Sequence, residues 1–568
     1  MGALSTSKIK PPNVMSTERI VLFNLNMTMA LLLLLGSGWV WSMPALDWQV
    51  YLIALMTGVL SLGTFMRALR IGFEEWLTQR SFEKVWREAD GAHSARFLTF
   101  EDLERAGCFE GGRLIGMFEG RPLFAPTRIE QSHSVYIAAN GSGKTSCGVV
   151  PTILSLAHEM AKGRRASLCV TDTKSGEIIR QVAPVLDLLK IDYVILDDFN
   201  VLRDHPRRVR INPFSQLLWV RTNEPQSFRR LIDKIMHTLW PSPRNNGVNE
   251  YFFAEPRNRG SMATEDLTSV LGERLQPGAI WSVLNNPSLW TKRLKIMESS
   301  GSDQLRGEAA KVREYIAQKH EHEPSHMGAA LRAFAPFAAG GWLHQLLPQT
   351  KDQPVFHHRE LMERPCMLFI VGRSDLAADA AAYFGLHVQA AMHAQLTQPY
   401  FEVHYIAEEA ANTPLKEMTE QMQVLRGLGA RIHIVTQSEA GLASAYGDRA
   451  TRIIMNEAIV KQYFGFTSFE EAEKLSNAMG REVVIKPSVS QSSGAHRLGR
   501  SWSVSREPLM LADRLMSLPF GDQIIHIGRL GFVHCQKVHS SHIGPYARHL
   551  GRNTIEDRDA RVDIRFEL

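Results

Sequence analysis

The stretch Ser134-Val-Tyr-Ile-Ala-Ala-Asn-Gly-Ser-Gly-Lys-Thr-Ser-Cys-Gly-Val-Val150 constrains this chain more than any other. Its apolar run, Val135 to Ala139, reads as a buried strand. A glycine-rich turn follows, then Gly143-Lys144-Thr145, then a helical pattern through Ala161. Strand, loop and helix in that order are what a phosphate-binding loop needs. Ala138, Ala139, Asn140, Gly141, Ser142, Gly143, Lys144, Thr145 and Ser146 are therefore the candidate cradle for ATP. Gly141 and Gly143 let backbone N–H groups curl around phosphate with no Cβ in the way. Lys144 is expected to reach the β- and γ-phosphates, and the Thr145 hydroxyl to hold Mg²⁺. The pattern departs from the usual one at its first glycine, which is Ala138 here. A glycine-rich turn with an incidental lysine is the competing reading; the flanking strand and helix speak against it.

At 568 residues the chain is too long for one ordinary domain, so two or three are expected. A formal net charge of +5 is mild. It neither announces a nucleic-acid binder nor excludes a basic channel. The five cysteines are scattered with no C-x-x-C spacing, which reads as reduced core residues, not a disulfide framework.

Residues Ile20 to Trp41 carry no charge, and neither do Trp48 to Met66. Each run reaches the roughly 20 residues that cross a bilayer. The short link Ser42–Asp47 makes them a transmembrane hairpin. A cleaved signal peptide fits poorly, because a second span follows at once. Lys8, Lys10 and Arg19 precede the first span, Arg67 and Arg70 follow the second, and the link holds only Asp47. The positive-inside rule then places both termini in the cytoplasm. Asn24 and Asn26 are candidates either for bonds between the spans or for the cytoplasmic interface.

Beyond a charged segment, 71–130, in which Arg113 to Phe124 reads as a hairpin, strands and helices alternate. Ser167–Asp172 and Tyr193–Asp197 are strands, with a helix from about Glu177 to Leu189 between them. From 222 to 345 strand-like runs vanish and helical patterns recur: Ser227–Trp240, Glu250–Leu271, Trp281–Met297, Gln304–Lys319 and Met327–Phe337. The strands then resume at Cys366–Val371, Val403–Ala407, Arg431–Val435 and Ile459–Phe464. This is a parallel α/β sheet carrying an all-α insertion. The expected division is a tail and hairpin (1–70), a membrane-proximal segment (71–130), two parts of a nucleotide-binding domain (131–221 and 346–535), the insertion (222–345) and a C-terminal tail (536–568), partly disordered.

A phosphate-binding loop that hydrolyses ATP needs acids on a neighbouring strand. Glu408 and Glu409 close the apolar run Tyr405-Ile-Ala. Ligands bind at such carboxyl ends in open α/β sheets. Glu408 is assigned to the Mg²⁺ shell and Glu409 to the catalytic base; a helix-initiating acidic pair is the alternative. Gln437, just after another strand, senses the γ-phosphate or orients water, or else is a loop amide. Arg426 is either a finger that acts on a neighbouring subunit's ATP or a solvated charge. The clusters His320/His322/His326 and Cys535/His539/His542 lack established zinc spacing.

In that order these residues resemble one family, the TraG/TraD-like coupling proteins of type IV secretion and conjugation. The resemblance runs through the hairpin, Ala138–Thr145, Asp172-Thr-Lys174-Ser-Gly-Glu177, Asn212-Pro213, the insertion, Glu408-Glu409, Gln437-Ser438, Phe464-Gly-Phe466 and Arg506-Glu-Pro-Leu509 with Leu518-Pro519. It implies a RecA-like P-loop NTPase domain with the all-α insertion and a two-helix anchor in the bacterial inner membrane, assembled as a homo-hexamer. It implies ATP hydrolysis that moves single-stranded or relaxosome DNA, or protein substrates, toward the inner-membrane components of the secretion channel. Glu408 stands where the family has Asp. A non-hydrolysing, nucleotide-binding substrate receptor and a chromosome-segregation-type double-stranded DNA pump are the alternatives.

Overall fold

Continuous apolar strands without alternation belong in sheets buried on both faces, and that is how the computed structural model arranges them. It describes residues 17–43, 47–90, 94–126, 133–241, 251–341, 343, 354–377, 379–398, 401–411, 416–491, 498–544, 546–553 and 566–568. Lys8 and Lys10, and parts of the expected insertion and tail, lie outside them. The chain divides into two units: residues 1–96 with 474–511, and 97–473 with 512–568.

The larger unit is built on an eleven-stranded sheet. Its strands are β1 (Leu114–Phe118), β2 (Arg121–Phe124), β3 (His133–Ile137), β4 (Ala166–Asp172), β5 (Tyr193–Leu196), β6 (Met367–Val371), β7 (Glu402–Ala407), β8 (Ala430–Thr436) and β9 (Ala458–Tyr463). It also contains β12 (Asp522–Ile527) and β13 (Gly531–Gln536), whereas β10 (Arg481–Gln491) and β11 (Leu498–Pro508) form a separate hairpin. The order is β2-β1-β13-β12-β9-β3-β8-β7-β4-β6-β5. From β9 to β5 the strands are parallel; β12, β13, β1 and β2 extend the sheet antiparallel. The register Ile137↔Thr436 and Ile137↔Tyr463 brings the carboxyl ends of β3, β8 and β9 level. Helices Val150–Ala161 and Glu177–Leu188 bury Ile153, Leu154, Ala157, Ile178, Val182 and Leu186 in the main core. That core also takes in Val538, Ile543 and Tyr546, so residues just past Ser540 pack as structure and not as a loose tail. All five cysteines are buried and free.

The insertion is helical, as its patterns imply, with one difference. The span read as a single helix, Trp281–Met297, is two helices, Pro277–Leu284 and Pro287–Ser300. The break has a local cause: Pro287 opens the second helix and the Asn286 side chain caps it, accepting from the Leu289 N–H at 3.1 Å. At the insertion's centre the fully buried Arg259 is held by the carboxylates of Glu255 and Glu323.

The smaller unit holds α1 (Thr17–Trp41) and α2 (Trp48–Asp90), both long and apolar enough to cross a membrane. Ser61 Oγ donates across the pair to the Ala30 carbonyl at 2.7 Å. Asn26, one of the two asparagines considered for such a bond, instead donates within its own helix to Leu22 O. Arg19 pairs with Glu75 at 3.2 Å. Beyond the apolar stretch α2 runs on without a break and packs against the β10–β11 hairpin, with the Phe82 and Trp502 ring centroids 4.9 Å apart, edge to face.

Candidate nucleotide site

β3 delivers the chain to the carboxyl edge of the sheet, where Ala138 N–H donates to Thr436 O at 3.0 Å. Ala138 is fully buried and does not adopt a left-handed φ, so the backbone there does not demand glycine. Gly141 (φ +74°) and Gly143 (φ +88°) do. Ser142 closes the turn, its hydroxyl donating to Ala139 O at 2.6 Å. Ala139 and Asn140 complete the loop. The chain then enters a wide π-type turn, Lys144–Val149, and continues as the helix Val150–Ala161, with Lys144, Thr145 and Ser146 buried.

The acids arrive from β7. Glu409 has φ +50°, a conformation that costs a non-glycine residue about 1–3 kcal/mol. Successive side chains of a strand point to opposite faces. The left-handed turn cancels that alternation, so Glu408 and Glu409 converge on the same loop. Lys144 Nζ lies 3.0 Å from Glu409 Oε1. Thr145 Oγ1 donates to Glu408 Oε1 at 3.0 Å. From β8, Gln437 Nε2 donates to Glu409 Oε2 at 3.3 Å. Five residues singled out in the sequence, Lys144, Thr145, Glu408, Glu409 and Gln437, are thus brought into direct contact.

Two more groups belong here, both in the Asp172–Glu177 segment that carries the resemblance but to which the motifs assign no role. Lys174, in the loop after β4, lies 3.3 Å from Glu408 Oε1 and 3.2 Å from Glu409 Oε1. Asp172, at the end of β4, is fully buried; its Oδ2 accepts from Ile179 N–H at 3.0 Å. A strand ending in an acid is a signal available in the sequence for Asp172. Lys174 carries no such signal, since nothing in its spacing says that it folds back over β7.

The electrostatics separate the acids. Burial alone raises Glu409, but Lys144 and Lys174 outweigh it and hold the group below the usual carboxylate range. Glu408 is raised by its burial, with Lys174 and Thr145 opposing. Burial also pushes Asp172 up, and the neighbouring charge of Glu408 pushes it further. Lys174 is raised: the two glutamates, with Glu177, overcome its desolvation. Glu409 is therefore held as an anion.

Among the described residues, Glu408 Oε2 and Asp172 Oδ1 are buried oxygens with no hydrogen-bond partner. Together with the Thr145 hydroxyl they form a set of hard oxygen donors of the kind Mg²⁺ takes, and so the residues fit that ion.

Arg426 is not brought to this site. It lies before β8, at the strand's amino end, and pairs with Glu457 at 3.8 Å. β8, seven residues long and so about 23 Å, separates it from Gln437.

Residues 402–520 match the family model described as the TraM recognition site of TraD and TraG. No curated protein sequence matches the chain. Among solved structures the chain is similar to the bacterial conjugative coupling protein TrwBdeltaN70 in an unbound monoclinic form, at 16% identity and TM-score 0.58, covering 83% of this chain and 96% of that one. It is similar to the plasmid coupling protein TrwB in complex with ADP and Mg²⁺, at 15% identity and TM-score 0.56, covering 79% and 94%. It is also similar to TrwB in complex with the non-hydrolysable ATP analogue ADPNP, at 16% identity and TM-score 0.54, covering 79% and 96%. At these identities the structural likeness speaks for the fold alone: a mixed α/β architecture like that of TrwB. Over residues 402–520 the chain is similar to TraD and TraG, and over most of its length its fold is similar to that of TrwB.

Proposed function

We propose that this TraG/TraD-like chain is an inner-membrane ATPase coupling protein of a conjugation or type IV secretion system. It would recruit relaxosome DNA or protein substrates and drive their transfer by ATP hydrolysis as a hexamer. The observation that carries the reading is the convergence of Lys144 and Thr145 on Glu409 and Glu408 at 3.0 Å each. An incidental glycine-rich turn has no reason to meet a strained acidic pair from another strand. The likeness to TrwB, solved with ADP, Mg²⁺ and ADPNP, supports nucleotide and Mg²⁺ as the ligands. The match to a TraM recognition site supports a relaxosome component as the partner. The two apolar helices support membrane anchoring.

Each residue then has a task. The loop's N–H groups and Lys144 bind the phosphates. Thr145 and Glu408, with Asp172 beside them, would hold Mg²⁺, which would supply charge neutralisation for the phosphates. Glu409 accepts the proton of the attacking water as its oxygen bonds the γ-phosphorus and the β–γ bridging bond breaks, ADP leaving. Gln437, bonded to Glu409, orients that water. Arg426 cannot reach its own chain's site; its task, in a ring, is the neighbouring subunit's nucleotide. The hairpin anchors the assembly, and the nucleotide-binding parts on either side of the insertion form the motor.

The test is ATP turnover by the detergent-solubilised full chain, with and without single-stranded DNA, compared with Lys144→Ala. Wild-type turnover stimulated by DNA and lost in the variant is the expected result. Equal rates in the two proteins would falsify the assignment, and nucleotide binding without turnover under any stimulation would favour a non-hydrolysing receptor.

A further inference from the structure

Phe520 is a large aromatic side chain left 60% exposed beside the phosphate-binding loop. Two short links fix it there. Lys537, which follows β13, places its ammonium 4.4 Å from the centre of the Phe520 ring and 5.1 Å from that of Phe464. The same Nζ donates to Ser142 O, inside the loop, at 3.0 Å, and to Phe464 O at 3.3 Å. The Lys537 backbone N–H also donates to Gly521 O at 2.7 Å, which holds the start of β12 against the end of β13. A mostly buried lysine therefore ties an open ring to the loop, with the cation near that ring and solvent over much of the rest.

The direction of a nucleotide in the loop follows from the sheet. β3 has β8 and β7 on one side, where Gln437, Glu408 and Glu409 mark the γ-phosphate end. On its other side lie β9, β12 and β13, which carry Phe464, Phe520 and Lys537 at their ends. The end of a bound nucleotide opposite its γ-phosphate leaves the loop on that second side.

We infer that Phe520 is the stacking surface for the base of the bound nucleotide, and that Lys537 is the positioning residue that holds the ring against the phosphate-binding loop. The inference rests on the nucleotide-binding reading above and adds the base end of that site. Stacking on one ring discriminates bases poorly, because every base has a π-face. Base identity is then a minor factor in affinity.

The test uses the full chain in detergent with Mg²⁺ and two probes, ADPNP and inorganic tripolyphosphate, measured by calorimetry. Wild type is expected to bind both, ADPNP more tightly. Phe520→Ala should weaken ADPNP about tenfold and leave tripolyphosphate unchanged; Phe520→Trp should restore ADPNP. Unchanged binding of both probes by Phe520→Ala overturns the assignment. An equal loss of both also overturns it, since it makes Phe520 a support of the loop and not a base platform. Wild type that binds neither probe sinks the nucleotide reading itself, and this assignment with it.

Discussion

Lys174 Nζ stands 3.2 Å from Glu409 Oε1, across a loop that the P-loop pattern does not include. It is also 3.3 Å from Glu408, so one cation serves two buried acids. Lys174→Met removes that cation and leaves Lys144 as the nearest compensation. Breaking a buried pair costs about 3–5 kcal/mol, but Lys174 is 27% exposed, so a loss of about 2 kcal/mol is expected. Adding Mg²⁺ should recover part of it. Thermal melts with and without Mg²⁺ measure both effects; a shift within error in Mg²⁺-free buffer would remove Lys174 from the site.

Glu409→Gln should separate binding from chemistry. The amide keeps the side chain's size and loses the proton acceptor. Nucleotide affinity should stay within a few-fold of wild type, while turnover falls about 10²–10⁴-fold, the usual contribution of a general base. Turnover above a tenth of wild type in a steady-state assay would move the base role elsewhere.

How far could this site be read before folding? The phosphate-binding loop and the acidic pair sit where strand patterns change to turns, and short apolar runs mark β3 to β9 directly. Lys174 escapes because its meaning depends on a loop crossing to another strand. The β10–β11 hairpin escapes for a different reason. Arg481-Glu-Val-Val-Ile-Lys-Pro-Ser has a charge or a proline every few residues and no sustained apolar face. Its packing rests on a few contacts such as Trp502 with Phe82. The reading assigned 346–535 wholly to the nucleotide-binding domain; residues 474–511 cluster instead with the apolar helices.

Asp198 gives a pH signature independent of catalysis. Burial pushes it up from an ordinary value of 3.8 to about 7, although the Tyr383 hydroxyl, donating at 2.7 Å, pulls the other way. Because the folded value is the higher one, its contribution is complete below the unfolded value near 3.8 and is lost as pH rises to about 7. Asp198→Asn has no such group. Relative to wild type, the variant should gain stability from pH 4 to 7, by up to about 1.4 kcal/mol per pH unit. Melting temperatures of both proteins across that range are the measurement; parallel curves would contradict the buried-acid reading.

The contact between Phe82 and Trp502 sets where the chain tolerates truncation. Deleting residues 1–70 removes both apolar stretches and keeps Phe82 beside the hairpin. Deleting 1–96 removes the whole of α2 and uncovers Trp502. The first truncation should be a soluble, nucleotide-binding protein; the second should aggregate or melt at lower temperature. Size-exclusion profiles that do not distinguish them would show that α2 gives the hairpin no support.

α2 runs 43 residues without a proline, about 65 Å of uninterrupted helix. A bilayer core occupies about 30 Å of that. A rod of this kind has no hinge at the membrane surface, so it transmits rotation where a jointed linker would absorb it. A tilt of about 10° carried through the roughly 35 Å beyond the core displaces the far end by about 6 Å, a little more than the rise of one helical turn. In the proposed membrane-anchored chain, bilayer thickness or a change among neighbouring spans would thereby be a mechanical input to the β10–β11 hairpin, delivered as movement and without any ligand.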